Sequence, residues 1–494
     1  MRATQVRLAA GVLVAGLLAV FAGVTPGVPK GRDAAAGSGR EPVAVGRTVL
    51  ACPGGVGPGS LASSIDAGSW PVRLSASAAK QLTGSPAVAR ATVLRTDGDG
   101  TTVPGLSYDQ RGSAAHAELA ATNRAVVLTA TGALAPGATA SVRSRAADGA
   151  QQGMSEIACT KPGTRFWLTG LSESLGEHAA IVLVNVDDSP AQVELALDDE
   201  RGAVDVPGAE NIRVPAHARE VLDLDELAPG STALAVGVHV TSGRVVAAAH
   251  QSATSGEAKL GNGWLPAGPE PARTVVLPGV VAGAAKVTLT VLAPGEDAGT
   301  ATVRLLTPHG PIEPAGHNQV SLTPGKVATV DLTGLFAGAA AAVEVTADVP
   351  VVAGLRQQAE PAAAGPGDTD LALTAPATAL RRPVAMSGPP AGATGTVLLT
   401  APAHGASATV AVVGDGGRTV ASTTVKVPAG STVASKLPDS ASGRTVLVTP
   451  TSGGKLVVSR AAAAVVDKVP QLSILQPAPP QMQAMRAQLT RALR

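Results

Sequence analysis

The chain has 494 residues, enough for three or four domains that each bury a core of their own. With 38 basic against 37 acidic residues, it has no charge excess with which to hold nucleic acid or an anionic membrane surface. Aromatic residues make up 1%, so the cores must be built from Val, Leu, Ile and Ala, and the 57 Gly and 38 Pro dispersed between apolar runs read as turn punctuation.

Arg2 and Arg7 precede the apolar run Leu8–Val24, which Pro26 and Pro29 stop. A basic segment followed by an apolar one is an export signal. Seventeen residues at about 1.5 Å each span roughly 25 Å, short of a ~30 Å bilayer core, so residues 1–24 are expected to be a signal peptide or a retained signal anchor. Val20-Phe21-Ala22 and Ala34-Ala35-Ala36 offer small-residue cleavage sites. Either way the rest of the chain lies outside the cytoplasm, secreted or held at the plasma membrane by this segment alone. Residues 25–46, rich in Gly, Ala and Pro, are expected to be a flexible tether.

In an exported chain the two cysteines, Cys52 and Cys159, are expected to pair as a disulfide. A lipid-attachment reading of Val49-Leu50-Ala51-Cys52 would need the motif directly after the apolar run, and it starts about 25 residues later. The cysteines bracket residues 47–160, whose segments Val88–Arg95, Arg124–Ala130 and Ala138–Arg143 read as strands of a divergent sandwich.

The remainder repeats. An opening strand ending in glycine recurs as FWLTG, VVLPG and VAMSG, its Gly170, Gly279 and Gly388 spaced by 109 residues (279 − 170 and 388 − 279). Each unit closes on a strand, VVAAAHQ from Val245, VVAGLRQ from Val351 and VVSRAAA from Val457. Within the units the apolar period is two: Val193, Leu195 and Leu197 alternate with Gln192, Glu194 and Ala196, and Val287, Leu289 and Val291 alternate with Thr288, Thr290 and Leu292. Asp187–Pro190 and Pro294–Asp297 read as hairpin turns, and only Leu222–Leu227 and Leu332–Leu335 suggest single helical turns. The fold class is therefore all-β: tandem immunoglobulin-like β-sandwich domains after the N-terminal segment, with repeats at 161–268, 269–372 and 373–470. In the tail, residues 471–494, the positions Met482, Met485, Leu489 and Leu493 with Arg486, Arg491 and Arg494 suggest a short basic amphipathic helix.

No catalytic constellation emerges. Ser77–Lys80 and Ser452–Lys455 match Ser-x-x-Lys, but the Ser-Asp-Asn and Lys-Thr-Gly elements that accompany such a nucleophile are missing. His250, followed by Gln251, stands where the next repeat has Arg356-Gln357, a pair expected to form hydrogen bonds at a strand rim. The acidic turns Asp187-Asp188, Asp198-Asp199-Glu200, Asp223/Asp225/Glu226 and Asp97/Asp99 could offer oxygens to calcium, but each falls where a turn wants Asp in any case. Trp70, Trp167 and Trp264 are expected at cores or domain junctions, with a ligand contact at Trp167 or Trp264 as the second reading. No cofactor is implied.

The segments FWLTG, VVLPG, LAPGEDAGTATVRLLTPHGPIEPAGH (Leu292–His317), VDL (Val330–Leu332) and PVVAGLRQ (Pro350–Gln357) resemble an actinobacterial family of exported, β-rich repeat proteins known only as a domain of unknown function. Members are often encoded beside a family 2 glycosyltransferase. The resemblance implies no activity, cofactor or catalytic residue. The expectation is a non-enzymatic cell-envelope protein, a rod of sandwiches serving as spacer, scaffold or interaction platform, with envelope proteins or cell-wall glycan as partners. The alternative is a glycan-binding module working with an envelope glycosyltransferase.

Overall fold

The computed structural model describes residues 40–56, 62–70, 76–94, 100–119, 123–146, 149, 151–361, 367–414, 417–479 and 483–487. Residues 1–24, expected to be a signal peptide or anchor, residues 25–39 of the expected tether, and Asp97/Asp99 lie outside them. Among the described residues no helix is long and apolar enough to cross a membrane. The described residues divide into two units, 44–483 and 40–43 with 484–487.

Residues 44–483 contain four sandwiches with one strand order. The first is built from Arg47–Cys52, Ala62–Ser69, Ala89–Val93, Thr101–Tyr108, Ala114–Leu119, Val126–Thr131, Ala138–Ala146 and Gly153–Ala158. Repeat one uses Arg165–Leu171, Glu177–Val184, Ala191–Asp199, a fourth strand in two pieces (Ala203–Val204, Ile212–Val214), Arg219–Asp223, Leu234–Ser242, Val246–Ser255 and Ala258–Pro266. Repeat two has Ala272–Val280, Lys286–Leu292, Gly299–Thr307, a split fourth strand (Gly310–Ile312, Gln319–Leu322), Ala328–Asp331, a continuous sixth and seventh strand Ala341–Gln358, and Leu371–Thr374. Repeat three has Val384–Ser387, Thr394–Ala401, Ala406–Val413, Thr419–Val427, Ser431–Lys436, Thr445–Gly453, Val457–Val466 and Val469–Leu475.

In all four, one antiparallel sheet runs first–sixth–third–fourth and the other fifth–second–seventh–eighth. The alternating residues face inward between the sheets: Val193, Leu195 and Leu197 meet Ile181 and Leu183 in repeat one, and Val287, Leu289 and Val291 meet Val303 and Leu305 in repeat two. The first sandwich does the same with Leu50, Ile65, Leu128 and Val142, and so shares the strand order of the repeats despite its divergent sequence.

Several sequence expectations need correction. Asp187–Pro190 and Pro294–Asp297 are not hairpins, because the strands they join lie in opposite sheets. Alternation is the same for a strand that folds back beside its predecessor and one that arches across the core, so the pattern could not separate the two. Leu224–Leu227 is a helical turn as expected, whereas 332–335 is not helical. The strands Leu371–Thr374 and Val469–Leu475 run across the expected divisions at 372 and 470. Arg40–Ala44 and Gln483–Ala487 pair as a two-stranded sheet, so the first is not tether and the second is not helix. A helix of a dozen residues is marginal alone in water, and pairing satisfies the same backbone groups.

The sandwiches do not form a rod. The outer face of the first sheet of each lies on the outer face of the second sheet of the next, and the series closes. Ala51 and Val127 of the first sandwich meet Val182, Val246 and Trp264 of repeat one. Ala233, Ala235 and Trp167 of repeat one meet Leu292 and Val352 of repeat two. Val276, Leu306 and Ala342 of repeat two meet Val457 of repeat three. Ala385, Ala411 and Val413 of repeat three meet Trp70 of the first sandwich. The result is a closed ring with head-to-tail contacts, held within one chain. The four eighth strands adjoin one another in the same cyclic order around its centre.

Candidate functional site

At that centre sits Asp370, wholly buried. One carboxylate oxygen accepts the backbone N–H of Met154 at 2.8 Å and of Leu472 at 2.9 Å; the other accepts Asn262 at 3.2 Å and Leu371 at 2.9 Å. One side chain thus joins the eighth strands of all four sandwiches. Burial pushes this carboxyl well above the usual range, against the pull of the four N–H donors.

Beside it Arg460 donates to Glu156 at 2.6 Å, an ion pair between repeat three and the first sandwich whose side chains are 0% and 1% exposed. Burial pushes Glu156 up, but Arg460, Arg143 and the Ser473 hydroxyl outweigh it and hold the carboxyl below its ordinary value. Arg460 faces inward because the third closing strand is offset by one residue from the sequence alignment. Val246, Val352 and Val457 are equivalent, as their partners Val184, Leu292 and Thr400 show, so Val245 and Val351 correspond to Leu456. A one-residue slip exchanges the two faces of a strand.

The seams between sandwiches hold the clefts. In the first, of about 420 Å³, Arg219 donates to the carbonyls of Asn123 and Gly55 at 2.6 Å each, and its pKa is lowered to about 10 by burial. His250 is buried in the same seam, not at a rim: its Nε2 lies 3.1 Å from Asn262 Oδ1 and its ring meets Trp264 edge-on, centroids 5.0 Å apart. Desolvation lowers its pKa to about 4 against the Asn262 bond, and Arg219 adds to the fall. Nearby Glu173 is raised to about 7, first by burial and then by Asp225, Glu177 and Asp223, against the Ala179 N–H. In the second seam, a cleft of about 260 Å³, Arg356 of repeat two pairs with Glu177 of repeat one.

Gln251 and Gln357 have a common task. Gln251 accepts from Ser172 N–H at 2.9 Å and donates to its carbonyl at 3.0 Å; Gln357 accepts from Val281 N–H at 3.0 Å and donates to the Gly279 carbonyl at 2.7 Å. Each pins the bulge at the end of the opening strand, where Gly170 and Gly279 take φ of +103° and +100°.

The remaining candidates fall into place. Cys52 and Cys159 are bonded, flanked by reciprocal backbone bonds between Ala51 and Thr160. Trp264 is buried and Trp167 half-buried, both at seams, and Trp70 is buried at a third. Asp187 pairs with Arg244 and Asp188 with His217, while Asp199 binds Arg201 and Ser231. Sequence reasoning missed Asp370, Glu156 and Arg460. The available signal was a lone charge inside an apolar strand, as in Thr369-Asp370-Leu371-Ala372-Leu373 and Val458-Ser459-Arg460-Ala461.

A model of a family of unknown function (DUF5719) matches residues 113–438. No curated protein matches the chain. Among solved structures, a Thermotoga maritima protein, 1070, aligns at 18% identity over 22% of this chain and 94% of its own, with a TM-score of 0.19. The Anabaena sensory rhodopsin transducer aligns at 19% identity over 17% and 92%, TM-score 0.15. The surface-layer protein SbsC, domains 1–6, aligns at 12% identity over 88% of this chain and 55% of its own, TM-score 0.09. Likenesses at these scores carry no weight for fold or function.

Proposed function

The chain belongs to the family of unknown function DUF5719, and we propose that it is a non-enzymatic scaffold of the cell envelope, working outside the cytoplasm as a rigid platform for envelope proteins or wall polymer. The observation that carries this reading is the closed ring. Its most elaborate polar groups, Asp370, Glu156, Arg460, Arg356 and Gln251, are all engaged in holding sandwich to sandwich or strand to bulge. A ring fixed in this way presents its rims in one geometry, which suits an interaction platform better than an extensible spacer. The disulfide and the sequence of residues 1–24 support an extracytoplasmic site.

Fractionation with non-reducing mass spectrometry tests the location. The expected result is membrane-bound or released protein with Cys52 linked to Cys159; a folded cytosolic pool with both thiols free would end the proposal. A photo-crosslinker at the fully exposed Leu175 should capture an envelope component in intact cells, and capture of cytosolic proteins alone would count against it.

A further inference from the structure

The seams repeat one register, so what fills each can be compared position by position. His250 lies opposite Ala180 in the first seam, Arg356 opposite Thr288 in the second, and Ala461 opposite Thr396 in the third. His250 stacks on Trp264 and Arg356 crosses to Glu177, but Ala461 has no side chain that could reach across. The cleft at this register position is about 940 Å³ in the third seam, against about 420 Å³ at His250 and about 260 Å³ at Arg356.

Its walls are mainly apolar, with Thr394, Thr396 and Gln471 as the uncharged polar residues among them. Leu398, Ala461, Ala463 and Leu472 of repeat three face Val281 and Ala340 of repeat two, and Val465, 72% exposed, stands among the lining residues. Two cations, Lys436 and Lys468, line the same cleft against a single acid, Glu360. Lys468 reaches it from a two-residue turn in which Asp467 and Lys468 take φ of +48° and +70°, where the matching turn of repeat one begins with Gly256. Such a turn favours Asn-Gly, so a lysine there is held against its own backbone preference.

We propose that this cleft is a binding site for an anionic amphiphile: one acyl or isoprenoid chain carrying a carboxylate or phosphate. The chain lies along the Ala, Leu and Val wall, and the head meets Lys436 or Lys468, which stand at different places on the lining. The size suits a ligand site, and the lining combines an apolar body with a few charged groups. A sugar ring would find no aromatic residue to stack on among the lining residues.

The test is a titration of the full-length protein with cis-parinarate, followed by displacement. Saturable binding is expected, with decanoate and decyl phosphate displacing the probe, decanol at least tenfold weaker, and inorganic phosphate ineffective. Exposed Ala463→Glu, and the pair Lys436→Glu with Lys468→Glu, should each weaken binding at least tenfold at an unchanged melting temperature. Ala461→Arg should refill the cleft in the manner of Arg356, and if it fails to fold, Ala463→Glu carries the test. Absence of saturable binding overturns the site, as does undiminished binding in the folded Glu variants. Decanol binding as tightly as decanoate, or inorganic phosphate displacing the probe, would overturn the anionic or the apolar half of the proposal respectively.

Discussion

Two buried groups near the first seam respond to pH with opposite sign. His250 has a folded pKa of about 4, below its unfolded value, so its contribution to stability is complete above the unfolded pKa and is lost as pH falls towards 4. The shift is worth at most about 3 kcal/mol. Glu173, raised to about 7, behaves in reverse: its contribution is complete in acid and disappears as pH rises through 7. Urea midpoints between pH 4 and 8 should show a shallower acid decline in His250→Gln and a flatter neutral limb in Glu173→Gln; parallel curves for wild type and variants would refute both assignments. The Glu156–Arg460 pair obeys another rule, since breaking a buried pair leaves an uncompensated charge. Arg460→Met should cost about 3–5 kcal/mol, and Glu156→Gln added to it should recover much of that loss. A double variant no better than the single one would mean the two charges do not compensate each other.

At the scale of elements, close approach between sandwiches depends on small residues of the seventh strand. Ala248, Gly354 and Ser459 occupy one register position, opposite Val182, Thr290 and Leu398. A Cβ on Gly354 would run into the Thr169 carbonyl of repeat one. Gly354→Ala should therefore force repeats one and two apart and cost about 1–3 kcal/mol, whereas Gly46→Ala, with nothing within 4 Å, should be neutral in thermal unfolding. Equal effects would contradict the seam. This scale also marks the limit of what the sequence discloses. Alternation identifies Val193–Leu197 and Val287–Val291 as strands and names their buried faces. It cannot say that Asp187–Pro190 crosses between sheets, nor that VVSRAAA is offset by one residue, because both are decided by partner strands tens of residues away in the chain. His250 looked like a rim residue for the same reason: the sandwich that buries it comes earlier in the chain and shares no local pattern with it.

For the whole molecule, a repeat period of about 107 residues fits a rod and a ring equally well. What closes the ring is chemistry at its ends: Trp70 against Ala385 and Ala411, Arg143 donating to the Gly388 carbonyl at 3.3 Å, and Asp370 at the centre. Compact-chain scaling gives a radius of gyration of about 22 Å for the 440 residues of 44–483, a value that a closed ring approaches and an extended string of sandwiches exceeds. The most direct test lies at the closing seam, where Ser141 Oγ of the first sandwich is 2.8 Å from Ser387 Oγ of repeat three, 246 positions along the chain. Ser141→Cys with Ser387→Cys should form an intramolecular disulfide under mild oxidation, read as a cross-linked peptide from monomeric protein. Two free thiols at those positions, or cross-links only between molecules, would contradict the ring.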